Sequence, residues 1–337
     1  MKKIKFGLIG VGRLGYEHAC NIANRVPGAT LVAICDMNAV RAKEVADELG
    51  VKKYYSDPVT LCKDEEVDAV VIVTNTATHV DMIQLAMENG KHVFCEKPLA
   101  DTMEKCYEAE KIISQYPDLT FMLGFMRRFD RSYVKAKEMI DAGKIGSVIQ
   151  VRCYSQDPVA TIQGTIEYGP KSGGQFIDLS IHDIDLIRWF TGSEPKKLWA
   201  IGGCYAFPEF AEWQDGDNVS ALMQCENDAM GFLFAGRAAA HGSHVETEII
   251  GTEGSLRIAG IPSDSQVEIM DEHGIRQECF QDFVPRWHDA YIHIIEKFCE
   301  HIMNKTKATP DVYDGIHSLK VAIACTKSFQ SNELISL

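Results

Sequence analysis

The chain has 337 residues, enough for two domains with separate cores, and its 46% hydrophobic and 24% charged content is that of a soluble globular fold. A formal net charge of −14 argues against general affinity for nucleic acid or an anionic membrane surface. No apolar run reaches the length of a membrane span without a charge inside it.

The chain begins "MKKIKFGLIGVG", two lysines before an apolar run. That run is short, carries glycines at turn spacing and lacks a small-residue cleavage site, so it reads as a first strand and not as a signal peptide. Strand-like runs follow at 31–36, 69–74, 92–97 and 121–126, short and rich in Val, Ile and Phe. Helical patterns at 13–26, 39–49, 79–89 and 103–116 lie between them. This alternation predicts a parallel sheet with crossover helices on both faces. From residue 147 the rhythm changes to successive strands at 147–155, 196–207, 218–227, 230–240, 245–260 and 266–272, predicting an antiparallel sheet. A helix at 175–190 interrupts that run, and helices near 286–303 and 313–330 close the chain. The expected organisation is an α/β domain over residues 1–123 and an α+β domain over 124–337. No Pro/Gly/Ser linker separates them, and a cleft at such a boundary is the default ligand site. The 11 cysteines include no Cys-x-x-Cys pair. Most, such as Cys35, Cys95 and Cys325, sit inside apolar patterns and read as buried free thiols of a reducing cytoplasm.

Gly10-x-Gly12-x-x-Gly15 follows the first strand directly and opens a helix. Such glycines let the backbone turn tightly and approach a pyrophosphate seated on the helix N-terminus. Asp36 closes the second strand, about 20 residues on, where a carboxylate accepts from the adenine-ribose hydroxyls and repels a 2′-phosphate. NAD is therefore expected over NADP. Arg41 is expected on the solvated face of the next helix. Further along, Cys95-Glu96-Lys97-Pro98 ends a strand at the sheet edge that borders the ligand crevice, so Lys97 is expected to point toward nicotinamide and substrate. Proline restricts the backbone of Lys97 and permits a cis bond.

The segment "GGQFIDLSIHDIDLIRWF" (173–190) reads as an apolar amphipathic helix, yet it carries Asp178, His182, Asp183 and Asp185. On one helix, Asp178, His182 and Asp185 share a face at i, i+4 and i+7. Asp183 falls away from it, exposed or paired with Arg188. Metal binding and a structural polar cluster are the alternatives these residues leave open.

Gly-x-Gly-x-x-Gly, Glu-Lys-Pro near residue 97 and Asp-x-x-x-His-Asp, in that order and spacing, resemble the glucose–fructose oxidoreductase/inositol dehydrogenase family across nearly the whole chain. "GFMRRFD" (124–130) and "IGTEGSLRI" (250–258) resemble its inositol dehydrogenase branch. The resemblance implies a Rossmann doubly wound parallel sheet followed by a domain on a large open, mainly antiparallel sheet. It implies an NAD-dependent dehydrogenase acting on a secondary hydroxyl of a cyclic polyol, scyllo- or myo-inositol, with no metal. The implied cofactor contacts are Gly10, Gly12, Arg13, Leu14, Gly15, Asp36, Thr74, Asn75, His79, Glu96 and Lys97. In catalysis Lys97 orients the reacting hydroxyl, His182 acts as general base, and Asp178 sets the tautomer of His182. Arg127, Asp157 and His244 join these three as implied substrate contacts, with Arg128 the structural ion pair. Where myo-inositol dehydrogenases tend to carry tyrosine this chain has His244, a departure that favours scyllo-inositol or another polyol. The alternatives are a pyranose or anhydrosugar dehydrogenase and a non-catalytic dinucleotide-binding regulator. A cytoplasmic homo-oligomer is implied, a tetramer or a dimer, packed through the open face of the second sheet.

Overall fold

The computed structural model describes residues 3–337. Its contacts divide the chain into two units, one taking the chain as far as Phe129 together with Asp289–Leu319, the other Asp130–His288 and Lys320–Leu337.

In unit 1, strands and helices alternate: β1 (Ile4–Ile9), α1 (Arg13–Asn24), β2 (Ala29–Cys35), α2 (Ala39–Leu49), β3 (Lys53–Tyr55), α3 (Pro58–Lys63), β4 (Ala69–Ile72), α4 (His79–Glu88), β5 (His92–Cys95), α5 (Met103–Ser114) and β6 (Phe121–Leu123). All strand pairs are parallel, in the order β3-β2-β1-β4-β5-β6, the doubly wound order. Helices cover both faces, so the central strands read as unbroken apolar runs, and every residue of β4 is buried. Strand β3 and helix α3 were not anticipated. The three residues of β3 are too few to show a period, and it lies at the sheet edge. Helix α3 depends on its cap: the Asp57 carboxylate accepts from the Val59 and Thr60 amides at 3.1 Å, and Pro58 stands in the first turn. Residues 289–319, expected with the second domain, pack in unit 1. Phe298 lies 6.1 Å from Phe6 and 6.0 Å from Phe94, ring centre to ring centre, so an apolar helix face completes this core.

Unit 2 contains α6 (Arg131–Asp141), β7 (Val148–Pro158), α7 (Ile162–Tyr168), α8 (Gln175–Asp178), α9 (Ile181–Thr191), β8 (Pro195–Gly203), β9 (Asn218–Cys225), β10 (Met230–Ala239), β11 (His244–Gly251), β12 (Ser255–Ile258), β13 (Ile269–Asp271) and β14 (Gly274–Arg276). Helices α10 (Phe283–Asn304) and α11 (Val312–Ser331) each have residues in both units, and β15 (Ile335–Ser336) ends the chain. The large sheet runs β12-β11-β7-β10-β9-β8-β15, antiparallel except where β7 meets β10. Burial alternates along β7 and β9, one face lying under α9. On the other face Trp199, Ile201, Leu222 and Met230 are 42%, 44%, 52% and 39% exposed.

The single helix expected over 175–190 is two. Helix α8 closes at Asp178, the Ser180 amide reaches back five residues to the Gln175 carbonyl at 3.1 Å, and α9 starts at Ile181. The wider turn breaks the i, i+4, i+7 register. Asp183 is buried, not exposed, because α9 packs on β7 and brings it to the Ser155 hydroxyl at 2.8 Å. Arg188 donates to Glu194, from Nε at 2.6 Å and Nη2 at 2.7 Å.

The loop between β8 and β9 is organised by one carboxylate. Asp217 accepts from the backbone amides of Tyr205, Ala206 and Phe207 at 2.9, 2.6 and 2.7 Å and from the Asn218 side-chain amide at 2.9 Å. Burial pushes its carboxyl up, but these donors outweigh burial and hold it below the usual carboxylate range. Asp215, two residues earlier, accepts from the Gln175 amide at 2.9 Å and so fixes the start of α8. Replacing Asp217 by Ala removes the charged acceptor that gathers these donors and should cost about 1–3 kcal/mol. A carboxyl lowered on folding adds stability that is complete above its unfolded value of about 3.9 and lost as pH falls through the folded one. Thermal melts of the parent and Asp217→Ala should therefore differ at neutral pH and converge in acid. Equal melting temperatures at neutral pH would remove Asp217 as the organiser.

Candidate active site

Unit 1 builds a dinucleotide cradle from the sheet edge where β1, β4 and β5 end. Gly10 has φ +94°, and a Cβ there would fall 2.4 Å from the Val73 carbonyl oxygen. At Gly15 a Cβ would come within 1.9 Å of the Gly10 oxygen, so only glycine lets α1 pack this close. At Gly12 a Cβ would meet nothing, which leaves the turn open toward a ligand. Gly12 is also the N-cap of α1 and provides no side-chain cap, the arrangement in which a helix N-terminus takes an anion. Arg13 and Leu14 form the first turn behind it. Asp36 is held at the end of β2: Oδ2 accepts from the Val11 amide and Oδ1 from the Asn38 amide, each at 2.9 Å. Each oxygen keeps a lone pair for a hydroxyl donor. Arg41, expected in solvent, donates from Nε to the Val11 carbonyl at 3.3 Å and lies 5.3 Å from the Tyr16 ring, so it braces the same turn. These residues fit NAD.

The neighbouring strand ends are tied together from within. His79, expected beside the cofactor, is buried, its Nδ1 facing the Pro98 carbonyl at 2.8 Å and its Nε2 the Thr74 carbonyl at 3.2 Å. Burial pushes its pKa down, while the Pro98 and Thr74 carbonyls on either side of the ring act against burial. The imidazole thus links the exits of β4 and β5. Thr74 accepts from the Thr78 hydroxyl at 2.8 Å, and Asn75 precedes a short 3₁₀ turn at Thr76–Thr78. Glu96 is also buried: Oε1 meets His18 Nε2 at 2.8 Å and Oε2 accepts from the Lys97 amide at 3.2 Å. Its carboxylate works inside the core, while Lys97 is half-buried at the strand exit and its bond to Pro98 is cis. Arg127 is buried, and Arg128 donates to Asp314 at 2.8 Å.

In unit 2 the structure gathers two expected residues around one that sequence reasoning missed. Arg237, 5% exposed, donates from Nη1 to Asp157, from Nη2 to Asp178 and from Nε to the Gln175 side-chain oxygen, each at 2.6 Å. Burial works against its charge, but Asp178 and Asp157 outweigh burial and raise its pKa. The signal was present: Arg237 follows Leu233 and Ala235 at the period of two that marks the buried face of β10. An arginine in that series needs buried anions. His182 stands in the first turn of α9 and is buried. His244 is placed elsewhere. It pairs across the strands with Gln156 and so takes the sheet face opposite to Ser155. There its Nδ1 meets His241 Nε2 at 3.2 Å and its Nε2 lies 3.5 Å from Glu246, and burial followed by His241 pushes its pKa down.

Residues 4–125 match the model of an oxidoreductase family with an NAD-binding Rossmann fold, and residues 133–257 match the GFO/IDH/MocA C-terminal domain. The scyllo-inositol 2-dehydrogenase (NAD(+)) of Bacillus subtilis is 38% identical over 99% of this chain and 96% of its own length. The myo-inositol 2-dehydrogenase of Thermotoga maritima is 32% identical over 99% of this chain and 98% of its own. The crystal structure of scyllo-inositol dehydrogenase from Lactobacillus casei with bound NAD(H) and scyllo-inositol superposes with a TM-score of 0.96 at 41% identity, covering 99% of each chain. With both domain models matched and relatives aligned end to end, the chain belongs to the GFO/IDH/MocA oxidoreductase family.

Proposed function

We propose that this protein oxidises a secondary hydroxyl of a cyclic polyol to a ketone with NAD, and that scyllo-inositol is the preferred substrate. What carries this reading is the end-to-end match to a dehydrogenase whose structure holds both NAD(H) and scyllo-inositol, together with a glycine cradle and an Asp36 that fit the dinucleotide. NAD, when bound, accepts the hydride released from the carbinol carbon. The protein's own residues handle the proton and the orientation. Lys97 donates to the reacting hydroxyl oxygen and directs its lone pair. His182 takes the hydroxyl proton, a role suited to imidazole, which can accept a proton and return it. Asp178 holds His182 in the receptive tautomer. Arg127 and Asp157 supply a donor and an acceptor for the remaining ring hydroxyls. We give His244 no substrate contact, since its side chain is on the sheet face of Gln156 and Glu246.

The exposed apolar row of Trp199, Ile201, Leu222 and Met230 is larger than isolated surface residues explain, and we assign it to contact between copies in a homotetramer. All 11 cysteines are free thiols, which suits the cytoplasm.

Absorbance of NADH should rise with scyllo-inositol and NAD, more slowly with myo-inositol and least with glucose. NADP should be the poorer acceptor, because Asp36 repels a 2′-phosphate. Turnover confined to glucose or an anhydrosugar would move the protein to pyranoses. His182→Ala should lower kcat by about 100-fold or more while NAD still quenches intrinsic fluorescence. A parental kcat in that variant would end the assignment of the base. Lys97→Ala should lower kcat/KM, whereas a change confined to NAD affinity would make Lys97 a cofactor contact alone. Light scattering should give the mass of four chains, and a monomer mass would leave the apolar row without its proposed cover.

A further inference from the structure

We propose that Arg237 is a positioning residue of the dehydrogenase, setting the direction and charge of Asp178 toward His182 while holding Asp157 for the substrate. This rests on His182 being the proton acceptor, as proposed above.

Asp178 needs an external support. It ends a helix of four residues, and the chain breaks register immediately after it, so the backbone alone aims its carboxylate poorly. Arg237 provides that support on three sides, with 2.6 Å bonds to Gln175, Asp157 and Asp178. A guanidinium can hold three acceptors in one plane, which the single ammonium of lysine cannot do. The arginine is itself fixed, since its backbone amide donates to the Asp217 carbonyl at 2.9 Å and its strand belongs to the buried face. Its position therefore passes from the β8–β9 loop and β10 to both carboxylates.

The charge matters as much as the aim. Asp157 from β7, Asp178 from α8 and Asp215 from the β8–β9 loop all act on Arg237 or on each other, so the guanidinium is the cation balancing a surplus of anions. On α9, Asp183 is engaged by Ser155 and Asp185 lies 3.8 Å from Arg188. Removing the guanidinium leaves the anions uncompensated. The extra negative field favours the protonated imidazole, raising the pKa of His182 and leaving less free base at a given pH. Loss of aim adds to this, because a small misplacement of a catalytic group is worth about 100-fold in rate.

The test is the pH dependence of kcat/KM for inositol oxidation by the full-length parent, Arg237→Met, Arg237→Lys and His182→Ala, with NAD binding followed by fluorescence. Arg237→Met should lose about 100-fold in kcat/KM, mainly in kcat, and its acid limb should move up by about one pH unit. Arg237→Lys keeps the charge, so its limb should stay at the parental pH while the rate falls about tenfold from poorer aim. NAD affinity should be unchanged in both. A rate and limb in Arg237→Met equal to the parent's overturn the proposal. If Arg237→Met fails to fold, Arg237→Lys decides, and a parental kcat in that variant overturns it too. Retained turnover in His182→Ala removes the reading beneath it. Loss in His182→Ala with parental profiles at position 237 removes the role of Arg237 alone.

Discussion

A charge taken out of water must be matched where it comes to rest, and that constraint shapes both units. In unit 1 the buried carboxylate of Glu96 is met by His18 at 2.8 Å and by the amide of Lys97. In unit 2, Arg237 faces Asp157 and Asp178, Asp183 faces Ser155, and Arg188 faces Glu194. Unpaired, each such group would cost several kcal/mol. The pairings also fix which way the neighbouring chain turns. Glu96 anchors the backbone at Lys97, and Arg237 anchors the end of α8.

The two units supply different kinds of chemistry by different means. Unit 1 works largely with backbone: glycines that permit close approach, a helix end without a side-chain cap, and a carboxylate pinned by two amides. Unit 2 works with side chains carried on a sheet, where alternation sends one set inward, Arg237 among them, and the other outward to an apolar face. The substrate preference proposed here belongs to the second set of devices. A ring of equivalent carbons differs between epimers by one hydroxyl, and only directed polar groups discriminate that.

Much of this was legible in the sequence because the signals were local. Alternating strand and helix runs in the first 126 residues gave the parallel sheet, and Gly10, Gly12, Gly15 and Asp36 located the cradle. What was not legible required partners distant in the chain. The helix over 175–190 looked continuous because apolar periodicity carries across a wide turn, so the break between Asp178 and His182 was invisible. Asp183, expected to be exposed or paired with Arg188, meets Ser155, a partner on β7 that local sequence does not reveal. Arg237 was overlooked although its place in the inward series of β10 marked it as buried. The resemblance implies His79 and Glu96 as cofactor contacts; their side chains face the Pro98 and Thr74 carbonyls and His18, contacts that no local pattern announces. The short strand β3 carries too few residues for any pattern to emerge.

The grip of Asp217 on the amides of Tyr205, Ala206 and Phe207 has a bearing on how such enzymes diversify. Every residue except proline offers the same amide, so the path of this loop is independent of the side chains it displays. Mutation can change what residues 205–207 present while one distant carboxylate preserves their course. Descendants of this protein can therefore explore new surfaces there without first relearning how to fold.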